Sequence, residues 1–269
     1  MVSKYFEYLQ NRMEEALRKM ISRECKPDPN LSAYISSYWY YSIYPDAEKH
    51  FDILPDGYFD LVITKKENRI EDIRLTGIWT KTVSISYTEN AEVFGVSFKP
   101  AAVDGLLDFN VSEILNDSRE TACSDFNLVE KILDSHLGVS FELLVSYLNN
   151  RFLALLAKKQ PDPRLKKCFE LIDNSHGNLT VSEISNTIGL SARQLHKKVN
   201  NMIGIGVKDY SKIVRFKFSL QEAKKDQFSR LNYYDQSHHI REIKQYTGLT
   251  PKKIDLKNND RFIQYYYFD

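Results

Sequence analysis

Two helix-start signals of the same kind stand eleven residues apart, Thr180-Val181-Ser182-Glu183 and Ser191-Ala192-Arg193-Gln194, with Gly189 between them. In each, the Thr or Ser oxygen can accept from the backbone N–H three residues on, while the Glu or Gln there reaches back to the cap. Gly189 supplies the left-handed residue that ends the first helix. The spacing leaves room for a short helix, a glycine turn and a second helix, with almost no slack. That is the sequence form of a helix-turn-helix.

The residues around this turn sort onto faces. Upstream, Leu165, Cys168, Phe169 and Ile172 mark a helix that ends near His176-Gly177-Asn178. In the helix opened by Ser191, the periodicity turns Leu195, Val199 and Met202 inward and places Arg193, His196, Lys197 and Asn200 on the other side. Arg matches the acceptor edge of guanine and Asn the edge of adenine, so this face suits the major groove of double-stranded DNA. Ser191, Gln194 and Lys198 are placed for phosphates or base edges.

A long helix from Gly206 to Lys224, with Tyr210, Ile213, Val214, Phe218 and Leu220 buried, is expected to join this unit to a second one over Asn232–Pro251. There Asp235 reads as N-cap, Ile240 and Ile243 as the apolar side, Gly248 as the stop, and Pro251 as a block to continuation. Gln236, Ser237, Arg241 and Lys244 form the polar side, which can donate to phosphates and base edges or is simply the solvated face of an ordinary packing helix.

The wording of both stretches is informative. TVSEISNTIGLSARQLHKKVNNMIGIGVKDY resembles the first helix-turn-helix of the AraC/XylS family of bacterial transcription regulators, GLSxRQL being its telling piece. YYDQSHHIREIKQYTGLTP resembles the second, through an aromatic pair, DQSH, an Arg, a Lys and a closing G-x-T-P. By that likeness Arg193, His196 and Lys197 occupy base-reading positions, and the DNA-binding domain begins near Pro161. HFDILPDGYFDLVI (50–63) and GVSFKPAAVDGLL (95–107) resemble, more loosely, the cupin-like sensor domain that precedes it in many members. Such domains bind a small effector or mediate dimerisation. The chain departs from the family before Asp235, where about ten residues stand in place of a full positioning helix, a length that a two-turn helix barely fits. Asn232 replaces the usual Gly and His239 a core Phe. The second module is therefore expected to be shortened and to add less specificity than the first, mainly phosphate contacts through Arg241 and Lys244.

Charge divides the chain in the same place. Residues 161–269 hold 19 Lys and Arg against 12 Asp and Glu, whereas 1–160 hold 18 against 24, so the basic half is the nucleic-acid candidate. The acidic half alternates apolar and polar residues over short runs such as FDILP, DGYFDLVI, TVSISYT and EVFGVSF, which reads as a small β-barrel. Its aromatics fill a core or line an effector site, for which Tyr38, Trp39, Asp56, Tyr58 and Trp79 are the candidates. His50 alone supplies no metal centre, and no nucleophile–base order, phosphate loop or carboxylate pair supports catalysis. No metal, no cofactor and no enzyme activity are therefore expected.

Flanking helices complete the expectation. Residues 2–21 carry apolar positions at helical spacing, and 111–160 read as a helical connector whose Leu143, Leu144, Tyr147, Leu148, Phe152 and Leu155 either face a partner copy or pack on the barrel. Pro161-Asp162-Pro163 breaks the chain after it. The three cysteines, Cys25, Cys123 and Cys168, form neither a disulfide framework nor a metal cluster. No apolar run of about 18 residues occurs, so no membrane association is expected and the location is read as cytoplasmic.

The fold expected is α+β and multidomain: an N-terminal helix (1–24), a cupin-like β-barrel (25–110), the connector (111–160), an all-α double helix-turn-helix (161–255) and an aromatic tail (256–269). The function expected is a DNA-binding, effector-responsive regulator acting as a homodimer. The alternative is a non-DNA-binding dimerisation or ligand-binding relative with a degraded second module.

Overall fold

The computed structural model describes residues 21–44, 49–67, 69–126, 128, 140–224 and 233–248. The expected N-terminal helix up to residue 20, nearly all of the expected helix at 128–137, the segment 225–232 and the tail 256–269 lie outside them.

The N-terminal region is built from antiparallel sheet. Its strands are β1 (Ile21–Cys25), β2 (Ile35–Ile43), β3 (Lys49–Ile53), β4 (Phe59–Lys66), β5 (Arg69–Thr76), β6 (Val83–Tyr87), β7 (Ala91–Phe98) and β8 (Ser118–Glu120). Six form one sheet in the order β1-β2-β7-β4-β5-β8, and β3 pairs with β6 in a second. Alternation along each strand separates the faces. Phe59, Leu61 and Ile63 of β4 share one core with Phe94, Val96 and Phe98 of β7 and Tyr38 of β2. Helix α1 (Ala102–Gly105) follows, and α2 (Phe141–Leu156) closes this face with Leu144, Leu148 and Phe152. The Phe152 ring meets Phe98 edge-on at 5.5 Å. On the opposite face Tyr41, Ile43 and Val93 pack with Phe51 of the small sheet, beside Ile85 and Tyr87.

Two expectations are corrected here, and one open alternative is narrowed. Residues 21–24, assigned to the N-terminal helix, belong to β1, which pairs residue for residue with β2 from Ile21 opposite Ser42 to Cys25 opposite Tyr38. Strand pairing, a long-range interaction, overrides the helical spacing that precedes it. Strand β8 lies within the segment read as helical connector, where Arg119 pairs with Leu75. In α2, Leu144, Leu148 and Phe152 are buried in the chain's own core, leaving Leu143, 57% exposed, outside it. Of the two readings of this face, packing on the sheet is the one that Leu144, Leu148 and Phe152 follow.

The C-terminal region is helical: α3 (Pro163–Asn174), α4 (Val181–Ile188), α5 (Ala192–Ile203), α6 (Val207–Lys224) and α7 (Tyr233–Thr247). Leu165, Cys168, Phe169 and Ile172 from α3, Ile184 from α4, Leu195 and Val199 from α5, and Tyr210, Ile213 and Val214 from α6 are buried together. Each such aliphatic or phenyl side chain stabilises the fold by about 1.5–3 kcal/mol relative to exposure. This core is continuous with the helix-covered face of the large sheet. Among the described residues no helix is long and apolar enough to cross a membrane.

Candidate nucleic-acid interface

Both expected capping boxes form. The Thr180 N–H donates to the Glu183 carboxylate at 2.7 Å and the Glu183 N–H returns to Thr180 Oγ1 at 3.2 Å. At the start of α5 the Ser191 N–H donates to Gln194 Oε1 at 3.0 Å, and the Gln194 N–H to Ser191 Oγ at 3.2 Å. Gly189 and Gly204 end the two helices at φ 69° and 80°, where a side chain would strain the backbone. These local devices fix α5 at both ends.

The faces of α5 are as its periodicity predicts. Leu195, Val199, Met202 and Ile203 are buried, Arg193, His196 and Lys197 are exposed together, and Asn200 is half-buried. Ser191 and Gln194, expected as DNA contacts, commit Oγ and Oε1 to the cap, so their first role is to hold the helix start. Lys198 reaches Asp162 at 3.4 Å, and the same carboxylate takes Arg164 at 2.7 Å. Arg164 foremost, with Lys198 also contributing, holds the Asp162 carboxyl below the ordinary carboxylate range. Lys198 thereby ties α5 to the Pro161–Pro163 break.

The sheet region braces the other end of α5. The Val111 N–H donates to the Met202 carbonyl at 3.0 Å. Ser112 and Leu115 lie close enough to Gly204 that a Cβ there would meet each at 3.1 Å.

Helix α7 is held by different means. It begins at Tyr233, so Asp235 stands inside its first turn and is not the N-cap. The side chains of Gln236 and Ser237 lie outside the described part, so their expected contacts have no geometry here. Arg241 and Lys244 are exposed, as expected of a polar side. Ile243 is buried, but Ile240 is 40% exposed on the same side as Arg241 and Lys244, which corrects its assignment to the apolar face. The buried side is supplied instead by Ile243 and Glu242, with Tyr246 packed on Phe216 of α6 at 4.3 Å. Arg215 of α6 donates from Nε to Glu242 Oε1 at 2.9 Å and from a guanidinium nitrogen to the Gly177 carbonyl at 3.3 Å. The Thr82 hydroxyl, from the loop before β6, donates to the Tyr246 carbonyl. Gly248, at φ 70°, ends the helix as predicted.

Of the residues expected to meet an effector, Trp39 and Asp56 both lie near Asp60, whereas Tyr38 lies on the other face of β2. Tyr38 and Trp39 are neighbours on β2 and so face opposite ways. Tyr38 is fully buried and donates to Asn149 Oδ1 at 3.0 Å, and burial foremost pushes its phenol pKa well above the ordinary value. Trp39 stacks on Tyr41 at 5.3 Å and donates to Ser97 Oγ at 3.0 Å; Ser97 in turn donates to Asp60. Burial, and then the charge of Asp56, pushes the Asp60 carboxyl up to about 7. Asp56 accepts from the Tyr58 N–H at 3.0 Å. Trp79 Nε1 is buried with no hydrogen-bond partner among the described residues.

Tyr58 is the residue placed most unlike the expectation. Its hydroxyl accepts from the buried Lys217 Nζ of α6 at 2.7 Å, with the ammonium 4.2 Å from the ring centroid. Burial acts to lower the Lys217 pKa, but Tyr58, Asp173 and Asp56 together carry it above its ordinary value, so the ammonium keeps its charge. Sequence reasoning missed this contact. A signal existed: Lys217 stands three residues beyond Val214 and seven beyond Tyr210, on the buried stripe of α6. Phe218, expected in the core, is half-buried and stacked on His176 at 3.9 Å. No group of three His, Cys, Asp or Glu side chains among the described residues is arranged to hold a metal.

Residues 23–120 match a family described only as a domain of unknown function, DUF6597, a span that ends with β8. No curated protein matches the chain. Among solved structures, ToxT from Vibrio cholerae is similar in several forms. With (E)-4-(8-methylnaphthalen-1-yl)but-3-enoic acid bound, it is 15% identical, with a TM-score of 0.39 over 87% of this chain and 96% of that one. With unsaturated fatty acid bound, the values are 14% and 0.38, over 87% and 92%. An apo single-site variant gives 12% and 0.37, over 87% and 95%.

Proposed function

We propose that the chain is a transcription regulator that binds double-stranded DNA through α5 and answers a small organic effector through its sheet region, catalysing no reaction. The observation that carries this is the face of α5, where Arg193, His196 and Lys197 stand exposed on a helix whose other side is buried. Such a helix enters a B-form major groove, and a good bidentate side chain–base pair discriminates by about 1–3 kcal/mol. The positive balance of 161–269 favours the same partner through counterion release. Arg241 and Lys244 of α7 add phosphate contacts in the next groove, about 34 Å along one face of the duplex.

The sheet region touches the DNA-binding helices through Val111 on α5, Tyr58 on α6 and Thr82 on α7. An effector that moved the Asp56–Tyr58 loop would change the hold on α6. It shifts the arrangement only to the extent that it binds two arrangements with different affinity. We read the working unit as a cytoplasmic homodimer, with the sensor over the sheet region and the DNA-binding domain over 161–255.

The second reading, a dimerisation or ligand-binding relative that leaves DNA alone, draws on Ile240, an apolar side chain exposed on the face of α7 that DNA would meet. Binding of the purified protein to a genomic DNA library at two salt concentrations separates the two. We expect an enriched sequence that Arg193→Ala no longer selects, with affinity falling steeply as salt rises. Weak, sequence-indifferent binding that disappears at physiological salt would favour the second reading.

A further inference from the structure

We infer that Gly206 is a specificity-positioning residue, seating the His196 imidazole so that one ring nitrogen, Nε2, is offered to a base. The inference rests on the DNA-binding reading and deepens it. His196 and Gly206 are brought together by the left-handed turn at Gly204, which folds the chain back beside α5. A Cβ built at Gly206 would lie 2.6 Å from His196 Nδ1 and 2.7 Å from Cε1, with Cγ at 3.9 Å. The Nδ1–Cε1 edge therefore occupies the space that any side chain at 206 would need. Nε2 is on the far part of the ring.

Two features separate this from ordinary packing. Gly206 carries no left-handed φ, so its backbone does not demand glycine. It also stands immediately before Val207, the first residue of α6, and its carbonyl accepts from the Asp209 and Tyr210 N–H groups at 3.1 and 3.0 Å. Ser, Asn or Asp at such a position would add a cap hydrogen bond that Gly forgoes. What only Gly provides here is room for the imidazole. Of the three exposed residues at the centre of the α5 face, Arg193 and Lys197 have long flexible stems, whereas His196 is seated in advance by its neighbour.

The test uses the full chain and selection from a randomised DNA library, comparing wild type with Gly206→Ala, Gly206→Ser, His196→Ala and Arg193→Ala. Gly206→Ala and Gly206→Ser should lose preference at the same base position as His196→Ala, by roughly tenfold, the lower part of what one good base contact discriminates. Preference at the position lost in Arg193→Ala should stay. The Ser variant gains a cap, so its melting temperature should not fall, which separates displaced reading from a damaged fold. Adding Gly206→Ala to His196→Ala should change the selected sequence no further. Wild-type preference in both Gly206 variants, or loss at a position that His196→Ala leaves intact, would overturn the inference. A wild type that selects no sequence overturns the DNA-binding reading, and the inference falls with it.

Discussion

Helices α5 and α7 are held in different ways. Helix α5 carries devices within a few residues of itself, a Ser–Gln capping box, a left-handed Gly204 and an inward row of Leu195, Val199 and Met202, and is braced besides by the Val111 N–H on the Met202 carbonyl. Among the described residues α7 is held by distant partners, with Arg215 reaching Glu242 from α6 and Thr82 reaching the Tyr246 carbonyl from the sheet region, besides its own left-handed Gly248. A helix with its own caps at both ends keeps its face better when remote contacts weaken. A helix held remotely moves when its partners move, so α7 is the better candidate for adjustment and α5 for constant reading.

The sharpest way to break this contrast is through the core of α5. Leu195→Ala should cost about 2–5 kcal/mol in denaturant unfolding, because a fully buried leucine is replaced by a cavity in the core shared with the sheet region. A loss below about 1 kcal/mol would mean that the site collapses easily and that the packing of α5 matters less than its caps.

Arg215→Met addresses α7. It leaves the Glu242 carboxylate without its guanidinium partner, and a cost of about 2 kcal/mol is expected, below that of a fully buried pair because the Arg215 side chain is 23% exposed. Hydrogen exchange should quicken over 233–247 and stay slow over 192–203. Equal quickening in both would show that the two modules are one cooperative unit.

Thr180→Ala removes one half of the first capping box and should cost about 1 kcal/mol. The comparison predicts that this small loss disturbs base selection by α5 more than its size suggests, since α4 sets the turn into it. Thermal melting and library selection on the same variant would show whether the two effects part.

The last contrast is in pH dependence, where Asp60 and Asp162 report the two regions with different slopes. Asp60, raised to about 7, keeps its proton when folded through a window in which an unfolded carboxyl has released it. Its contribution to stability therefore falls as pH rises from about 4 to about 7 and is flat above. Asp162, lowered chiefly by Arg164, stabilises above the unfolded carboxyl value, and that contribution is lost as pH falls below about 4. Asp60→Asn should abolish the first slope in unfolding titrations and leave the second.

What the sequence showed follows the same division. The capping boxes, the glycine stops and the faces of α5 were legible because each depends on residues at most four apart. Strands β3, β4, β6 and β7 were legible from alternation. The pairing that makes Ile21–Cys25 a strand, the Lys217–Tyr58 contact and the Arg215–Glu242 pair join residues far apart in the chain, and no local pattern specifies such partners. Tyr38 parts from Trp39 for a simpler reason: neighbours on a strand face opposite sides.

Base-resolution footprinting on the selected DNA tests the central claim most directly. The account predicts base-specific protection in one major-groove segment, lost in Arg193→Ala, with only backbone protection about 34 Å away where α7 lies. Equal base-specific protection at both adjacent faces, lost from the second in Arg241→Ala, would contradict it.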